Sequence, residues 1–251
     1  DDDKYRSLIE ENVEKNISFK FLTKSNSPTI VKRRFLDSVD RKKILGVYSI
    51  NDNNLNDDEE RELLSSIDVL AGENDLIIVS DYGHGVITSK IASHISKINK
   101  FVSLNAQVNA ANVGTHNIRK YKNIDCLIIN ANELRHEMRQ RDGNLQALAI
   151  ELKNLINARN ISVTKGKDGA FLLGDNENQF ECPAFANEVV DKIGSGDALL
   201  ALLSLCLYKE MDENLSLLIA SVAAAQSVES IGNSMPINKI NLLKTISHFL
   251  K

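Results

Sequence analysis

Residues 191–197 of this 251-residue chain read Asp-Lys-Ile-Gly-Ser-Gly-Asp, and they are the most informative stretch of the sequence. The β-branched pair Val189 and Val190 precedes it, and a long apolar run, 198–208, follows it. This order predicts a strand, a tight glycine turn and the start of a helix. Glycines let backbone N–H groups point into one concavity, where the helix N-terminus adds partial positive charge. We therefore predict an anion-binding turn with the carboxylate of Asp197 at its rim.

An acidic side chain beside an anion-binding turn suits phosphoryl transfer to a hydroxyl group. Asp197 would act as the general base. Charge on the transferred group would be stabilised by the N–H groups of Gly194, Ser195 and Gly196. A purely structural interpretation stays open, because glycine turns before helices are common and the helix dipole favours an acidic first turn.

The composition is that of an ordinary globular protein, with 43% hydrophobic and 25% charged residues. A formal net charge of −4 argues against a basic nucleic-acid-binding surface. No apolar run has the length of a membrane span and no signal peptide opens the sequence, so we expect a cytoplasmic protein without a membrane partner. The three cysteines, expected to be buried and reduced, lie far apart in apolar stretches: Cys126, Cys182 and Cys206.

The hydrophobic pattern predicts an α/β fold. In residues 17–50, three strand-like runs (17–21, 29–36 and 44–50) predict a small antiparallel sheet, the β lid. Beyond residue 70, strand-like and helical runs alternate, which predicts parallel β/α units with helices on both faces of a sheet. We therefore expect a three-layer α/β/α sandwich that carries the β lid near its N-terminal end.

Polar residues follow four predicted strands in succession. The carboxyl ends of strands in open parallel sheets are where ligands bind. Any one of these residues could be an ordinary loop residue, but four such sites along one edge predict a binding rim. In chain order they are Asp81; Asn105 and Gln107; Asn130 and Glu133; and Thr164, Lys165 and Gly166.

The stretch 191–197 resembles the D-[TS]-x-G-A-G-D signature of the ribokinase-like (PfkB-type) carbohydrate kinases, in which the last Asp is the catalytic base. The matching positions are Asp191, Gly194, Gly196 and Asp197. Ser195 stands where alanine is usual, and Lys192 replaces the usual threonine or serine. The resemblance implies an ATP-dependent sugar kinase that uses Mg²⁺, with Asp191 and Lys192 on the nucleotide side.

Other segments resemble the same family in the same order. Residues 163–170 resemble its V-T-x-G-x-x-G-x segment, which lies along the nucleotide. This implies nucleotide-binding roles for Thr164, Lys165, Gly166 and Gly169. Asn130-x-x-Glu133 is similar to the N-x-x-E motif, which is linked to organising magnesium and phosphate. Residues 223–225 and 232–234 resemble the helix and loop that close over the adenine, which adds Asn233 to the nucleotide site.

Within the family, the likeness is greatest to the heptose 7-phosphate kinases, which are often fused to a nucleotidyltransferase in ADP-heptose synthesis. Residues 80–82 resemble the S-D-Y that ends a substrate-side strand, and 27–35 resemble a P-T-x-x-K-x-R strand. Lys32 and Arg34 share one strand face, so both could reach the same substrate phosphate, although a merely solvated basic face stays open.

One departure concerns the sugar. Asn105-Ala106-Gln107 replaces the D-P-K usual in that branch, which leaves the acceptor sugar open. Asparagine and glutamine can still hydrogen-bond sugar hydroxyls. Asp81, Asn105 and Gln107 are therefore expected to contact the substrate together with the two basic residues of the lid.

The resemblance also implies an N-terminally incomplete kinase domain over residues 1–251, because no G-G-x-x-x-N segment is found. A fragment, a segment missing from the given sequence and a segment supplied by a partner all stay open. The alternative function is a non-catalytic domain that binds a sugar phosphate or mediates dimerisation for a fused nucleotidyltransferase. A dinucleotide-binding enzyme is disfavoured because no strand is followed by G-x-G-x-x-G. Apolar residues on the lid predict a homodimer formed through it.

Overall fold

The computed structural model describes residues 4–38, 43–108, 112, 117–176, 178–186, 189–191 and 193–249, and for Lys4, Lys43 and Asn233 the backbone only. The helices are α1 (Lys4–Asn12), α2 (Asp57–Glu73), α3 (Ser89–Ile95), α4 (Ala131–Met138), α5 (Leu145–Ile156), α6 (Ser195–Tyr208), α7 (Glu213–Val228) and α8 (Lys239–Phe249). The strands are β1 (Val31–Leu36), β2 (Lys43–Ser49), β3 (Leu76–Asp81), β4 (Phe101–Ala106), β5 (Cys126–Asn130), β6 (Asn160–Thr164), β7 (Ala170–Leu173) and β8 (Gln179–Cys182). None of the helices in these ranges is both long enough and apolar enough to cross a membrane.

The β lid has two strands where the sequence predicted three. β1 and β2 pair antiparallel, with Lys32 opposite Tyr48 and Arg34 opposite Gly46. The predicted strand at 17–21 is wrong, because this segment is irregular in the structure. The rings of Phe19 and Phe21 pack on each other with centroids 5.2 Å apart. The alternation of apolar residues therefore reflects a local aromatic contact and not a pleated strand with a neighbour to pair with.

The main sheet has six strands in the order β3-β4-β5-β6-β7-β8. β3 to β6 are parallel, as predicted, whereas β7 and β8 are antiparallel, which the prediction of parallel units missed. The physical reason lies in the connection between β6 and β7. Only residues 165–169 join these two strands, which is too short for a crossover, so the chain must turn back on itself.

Helices cover both faces of this sheet, so the predicted three-layer sandwich is confirmed. One core contains residues of α3, α4 and α5 packed on one face, and α2 adds partly buried residues to it. The second core contains α6 and α7 on the other face, and α8 packs on α7 from outside. Cys126, Cys182 and Cys206 are buried and unpaired, as the sequence indicated.

The direction of α6 places its first turn at the carboxyl ends of the strands. Tyr208 ends α6, and its ring packs on the ring of Phe101, the first residue of β4, with centroids 6.0 Å apart. A 14-residue helix and a six-residue strand have similar lengths, about 20 Å each. Because the end of α6 lies at the start of β4, its beginning lies beside the end of that strand.

The predicted strand at Val189 and Val190 is wrong. The backbone N–H groups of Val190 and Asp191 both donate to the carbonyl of Val228, at 2.9 and 3.1 Å. The segment before α6 is therefore attached to the end of α7, and the β-branched pair joins no sheet. The hydrogen-bond partner of this segment is a helix end, which local composition could not indicate.

Candidate active site

The turn before α6 requires glycine at its first position. Gly194 has φ of 87°, in the left-handed region that favours glycine, and its carbonyl accepts the N–H of Ala198 at 2.9 Å. The helix then begins at Ser195. A Cβ added to Gly196 would meet no atom within 4 Å, so this face of the first turn is open. Lys192, predicted to contact the nucleotide, lies outside the described residues.

Asp197 lies in the first turn of α6 and is exposed to solvent. Although its side chain can be reached from outside, the surrounding protein removes part of the hydration of the carboxyl group and raises its pKa. Among the described residues, no charged side chain or hydrogen bond offsets this effect, and the positive end of α6 opposes it only in part. Asp197 is therefore an accessible carboxylate with increased basicity at the positive end of a helix.

Asp191 shapes the site through two backbone contacts. Its Oδ1 accepts the N–H of Ile193 at 3.1 Å, and its Oδ2 accepts the N–H of Gly232 at 3.0 Å. Gly232 belongs to the short helical turn Ile231–Asn233 that follows α7. The carboxylate thus fixes the turn before α6 to the loop predicted to cover the nucleotide. The side chain of Asn233, also predicted to bind the nucleotide, is not described.

The segment 164–169 forms a tight loop at the end of β6. Thr164 pairs with Asn130, the last residue of β5, so these two predicted site residues lie side by side. The N–H of Lys165 donates to the carbonyl of Gly169 at 2.7 Å, which closes the loop. Gly166 has φ of 62° and meets no atom within 4 Å of an added Cβ, so it leaves the loop open on one side.

Gly169 is required for a different reason. A Cβ at this position would lie 2.0 Å from the carbonyl oxygen of Cys182 on β8. The side chain of Lys165 lies on the same side, with its Nζ 3.7 Å from Glu181 and 5.7 Å from the centroid of the Phe171 ring. The loop is therefore packed closely on the antiparallel strands, and the ammonium group of Lys165 is already near one carboxylate.

The Asn130-x-x-Glu133 motif is a helix cap in this structure. The Asn130 side chain accepts the N–H of Glu133 at 2.9 Å, and the Glu133 carboxylate accepts the N–H of Asn130 at 3.0 Å. The other carboxylate oxygen accepts the N–H of Val108 at 3.3 Å. Glu133 is buried, and this burial raises the pKa of its carboxyl. Both oxygens therefore have backbone donors before any ligand is considered.

The carboxylates near this position fit a magnesium ion held mainly by phosphates and water, and they do not fit one held mainly by protein side chains. Within the described ranges, no three His, Cys, Asp or Glu side chains come together as metal ligands. A protein cage for the ion is thus not formed by these residues. A Mg²⁺ ion held mainly by substrate phosphates and water needs only one or two carboxylates nearby, and Glu133 fits that role through water.

Asp81 is buried at the end of β3, and its carboxylate is engaged by the protein itself. Its Oδ1 accepts the N–H of Gly83 at 2.8 Å, and its Oδ2 accepts the hydroxyl of Tyr121 at 2.8 Å. Lys120 Nζ lies 2.7 Å from the same oxygen. Burial and this carboxylate raise the pKa of the Tyr121 hydroxyl well above its ordinary value. The sequence carried no motif that would have pointed to Lys120 and Tyr121.

Asn105 lies inside β4 and not after it, which corrects the predicted position. The residue is buried, and its Nδ2 donates to the carbonyl of Ile128 on β5 at 2.9 Å. Gln107 follows the strand as predicted. Its N–H donates to the carbonyl of Asp81 at 2.8 Å, and its half-buried side chain stays at the rim. Of these two predicted sugar ligands, Gln107 has the more accessible side chain.

The basic face of the lid is turned toward the end of β3. Lys32 Nζ lies 5.1 Å from the centroid of the Tyr82 ring, and Tyr82 directly follows that strand. Lys32 is half-buried, and this burial lowers the pKa of its ammonium group. Arg34 lies two residues further on the same face and is exposed. The structure thus places Lys32 of the lid beside the residue that follows the substrate-side strand.

Sequence reasoning missed the contacts that fix the base of the lid. Lys24 Nζ donates to the carbonyl of Asn51 at 2.7 Å, to that of Asn53, and to that of His84 at 3.4 Å. His84 is buried, and its Nδ1 lies 2.7 Å from Asp52 Oδ1. These contacts join residues far apart in the chain, and no local pattern indicated them.

Two cavities of the described structure lie away from this rim. One, of ≈ 470 Å³, runs along α8, and the other, of ≈ 220 Å³, lies at the opposite edge of the sheet beside Phe101, Asn160 and Tyr208. None of the predicted site residues lines either of them. The rim is therefore defined by converging strand ends and by the first turn of α6.

The sequence agrees with this geometry. Residues 1–240 match the family described as pfkB family carbohydrate kinase. The chain belongs to this family. It is 28% identical over 250 residues to the bifunctional protein HldE of Campylobacter jejuni, covering 98% of this chain and 51% of that protein. It is 32% identical over 182 residues to the bifunctional protein HldE of Campylobacter curvus, covering 70% of this chain and 37% of that protein.

Solved structures confirm the ribokinase-like fold of this PfkB-family chain. The ribokinase of Thermotoga maritima matches 98% of this chain and 78% of its own with a TM-score of 0.73, at 18% identity. The phosphofructokinase-2 of Escherichia coli matches 82% and 67% with a TM-score of 0.65, at 15% identity. At these identities the likeness shows the fold alone. The chain spans between 33% and 51% of the length of the first curated relatives it matches.

Proposed function

We propose that this PfkB-family chain is the kinase domain of a sugar kinase that transfers the γ-phosphoryl group of ATP to a sugar hydroxyl. The observation that carries this proposal is the position of Asp197. Its carboxylate is accessible, has a raised pKa and lies in the first turn of α6 beside the carboxyl ends of the strands. A general base for a neutral hydroxyl needs this combination of access and basicity.

The residues around the turn supply the remaining chemistry. Asp197 accepts the proton of the attacking hydroxyl as the oxygen–phosphorus bond forms. The first N–H groups of a helix point out of its N-terminal end and give it partial positive charge, so the start of α6 at Ser195 and Gly196 can face the charge on the transferred group. Gly194 sets the backbone direction that allows this. Magnesium, when bound with the nucleotide, neutralises phosphate charge.

The nucleotide is assigned to the loops on the other side of the rim. Thr164, Lys165, Gly166 and Gly169 would lie along it, and Asp191 would hold the covering loop in place through Gly232. Lys192 and Asn233 are proposed to contact it on the family resemblance alone. Asn130 and Glu133 would organise the magnesium ion through water, because their own oxygens already accept backbone N–H groups.

The proposed acceptor is the anomeric hydroxyl of a heptose 7-phosphate. Lys32 and Arg34 are suited to hold its phosphate, because they share the face of β1 that meets Tyr82 at the end of β3. Gln107 at the rim would contact the sugar, and Asn105 is proposed for the same role on the sequence pattern alone, because its side chain is buried within β4. The relatives named bifunctional protein HldE support the choice of the heptose 7-phosphate kinase branch. On the same resemblance, we propose a fused nucleotidyltransferase and a role in nucleotide-sugar synthesis.

A second candidate is a non-catalytic domain that binds a sugar phosphate or mediates dimerisation. Two observations favour it: the Asp81 carboxylate is engaged by Gly83, Lys120 and Tyr121, and Asn105 is bonded within the sheet. Fewer polar side chains are then available to form hydrogen bonds with a sugar. The accessible Asp197 is common to both candidates, but only the kinase needs it.

We also propose a homodimer formed through the lid. Phe35, Leu45 and Val47 are 47%, 53% and 49% exposed and share the face opposite Lys32. An isolated two-stranded sheet is marginally stable, and burying these side chains against a second lid would stabilise it.

An ADP-release assay on the longest native form of the protein tests the kinase proposal. The assay uses ATP and Mg²⁺ with heptose 7-phosphate, heptose, ribose and fructose 6-phosphate as acceptors. Asp197→Asn should lower turnover by a factor on the order of 10² to 10⁴, with nucleotide affinity little changed. Asp142→Asn, an exposed residue between α4 and α5, is the control. Binding of heptose 7-phosphate without any phosphoryl transfer would favour the second candidate.

A further inference from the structure

The loop that follows β3 carries the lid. His84 binds Asp52 at one end of the lid, and its carbonyl accepts the ammonium group of Lys24 at the other end. The carbonyl of Gly85 accepts the N–H of Leu55 at 3.2 Å, and a Cβ on Gly85 would lie 2.0 Å from the carbonyl oxygen of Asn53. Both ends of the lid are therefore attached to this one loop, directly after the substrate-side strand.

Tyr82 begins this loop, and its backbone is held on both sides. The preceding Asp81 is fixed by three side-chain contacts. The carbonyl of Tyr82 accepts Nδ2 of Asn112 at 3.0 Å, and the same Nδ2 donates to the carbonyl of Gln107 at 2.8 Å. The backbone of Tyr82 is thus fixed at the rim, and its ring has fewer rotatable bonds than the long side chains of the lid.

The ammonium group of Lys32 lies against this ring. The Nζ-to-centroid distance of 5.1 Å is within the range of cation–π attraction. Lys32 is half-buried, whereas Arg34 on the same face is exposed. A lysine side chain has several rotatable bonds, and contact with the ring restricts them before any substrate binds. Binding of a phosphate then costs less conformational entropy of this side chain.

We infer that Tyr82 is a positioning residue for substrate-phosphate binding, acting through Lys32. The ring holds the Lys32 ammonium group over the end of β3, so that the group faces the phosphate of an incoming sugar phosphate before it binds. This inference rests on the proposed function, in which Lys32 binds that phosphate. In this role Tyr82 increases the affinity for the phosphate and takes no part in the phosphoryl transfer.

A double-mutant cycle measured by calorimetry tests the inference, with heptose 7-phosphate as the ligand. Tyr82→Leu removes the ring and should weaken binding roughly two- to fivefold, the size of an exposed cation–π contact. Tyr82→Phe keeps the ring and should restore nearly all of the affinity. In a Lys32→Ala background, Tyr82→Leu should cause no further loss. The kinetic readout is a raised KM for the sugar phosphate with kcat unchanged.

The controls separate this inference from the proposal on which it rests. Tyr208→Leu removes a similar lysine–tyrosine contact at the opposite edge of the sheet, where Lys209 Nζ lies 4.8 Å from the centroid of the Tyr208 ring. This variant should bind heptose 7-phosphate as wild type does. If Lys32→Ala has no effect on binding, the proposed phosphate site is wrong. If Lys32→Ala weakens binding but Tyr82→Leu does not, or acts equally in both backgrounds, the role of Tyr82 is wrong.

Discussion

The carboxylate of Asp191 joins two segments that are 41 residues apart in sequence, because its Oδ2 accepts the N–H of Gly232 at 3.0 Å. Its other oxygen accepts the N–H of Ile193, directly before the glycine turn. The start of α6 and the loop after α7 are therefore linked through the side chain of Asp191. In the proposed kinase, one of these segments holds the base and the other covers the nucleotide.

Replacing Asp191 should loosen both segments together. Asp191→Ala removes two charge-assisted hydrogen bonds, so we expect a loss of about 1–3 kcal/mol in the free energy of unfolding and a raised KM for ATP. Thermal denaturation and initial-rate kinetics measure the two effects. Asp142→Ala serves as the control for loss of an exposed carboxylate. An unchanged melting temperature together with an unchanged KM for ATP would contradict the structural role.

The raised pKa of Asp197 predicts opposite effects of pH on rate and on stability. As a base, Asp197 must be ionised, so kcat/KM should fall with decreasing pH at a value above the ordinary aspartate pKa of about 3.9. Because the folded state disfavours the ionised form, wild-type stability should decrease as pH rises through the ordinary pKa and up to the raised one.

Asp197→Asn removes the free-energy cost of holding an ionised, partly desolvated carboxylate, so the variant should melt at a higher temperature than wild type at pH 7. The difference should shrink as the pH approaches 4, where the wild-type carboxyl takes up its proton. Melting curves between pH 4 and pH 7 measure it. A variant that melts lower than wild type at every pH would show that Asp197 stabilises the fold and would weaken its assignment as a base.

Glu133 offers a test of the magnesium proposal that is separate from helix capping. Glu133→Gln keeps one acceptor oxygen, so it loses one backbone hydrogen bond and about 1 kcal/mol of stability. The lost charge should raise the Mg²⁺ concentration needed for half-maximal activity. Glu133→Ala should lower stability further. If Glu133→Gln shows the normal Mg²⁺ dependence, the residue is a helix cap and no more.

The basic face of the lid should determine affinity for the substrate phosphate. Replacing Lys32 and Arg34 together with Ala should weaken binding of heptose 7-phosphate by roughly 2–4 kcal/mol, the loss of two charge-assisted hydrogen bonds. ATP binding should not change. Arg141→Ala is the control, because Arg141 is an exposed arginine between α4 and α5 and not on the lid. Calorimetry that shows equal losses for Arg141→Ala would indicate a general effect of positive charge.

The outer face of the lid should determine the assembly state. Leu45→Glu places a charge among exposed apolar side chains, so it should shift a lid-mediated dimer toward monomer. Sedimentation velocity at several protein concentrations measures this shift. Leu155→Glu is the control, since this 40% exposed residue lies on α5 and not on the lid. Wild-type protein that sediments as a monomer at all concentrations would end the dimer proposal.

Much of the fold follows from local sequence patterns. The buried strands β3 to β6 read as short apolar runs, and residues 191–197 predicted the start of α6 correctly, since Gly194 alone tolerates the left-handed backbone there. The antiparallel β7 and β8 were missed. Their direction depends on the length of one turn and on close packing at Gly169, where a side chain would collide with another strand.

The alternation of strands and helices along the chain was enough to predict which segments meet at the rim, because parallel strands connected by helices place their carboxyl ends at one edge. Which of these side chains remain available depends on the folded structure. Asp81 and Asn105 have the same polar chemistry as accessible ligands, yet partners distant in sequence engage them, whereas Asp197 keeps an open face. A hydrogen bond depends on distances between atoms, and a pattern along one chain carries no information on the distances between segments far apart in that chain.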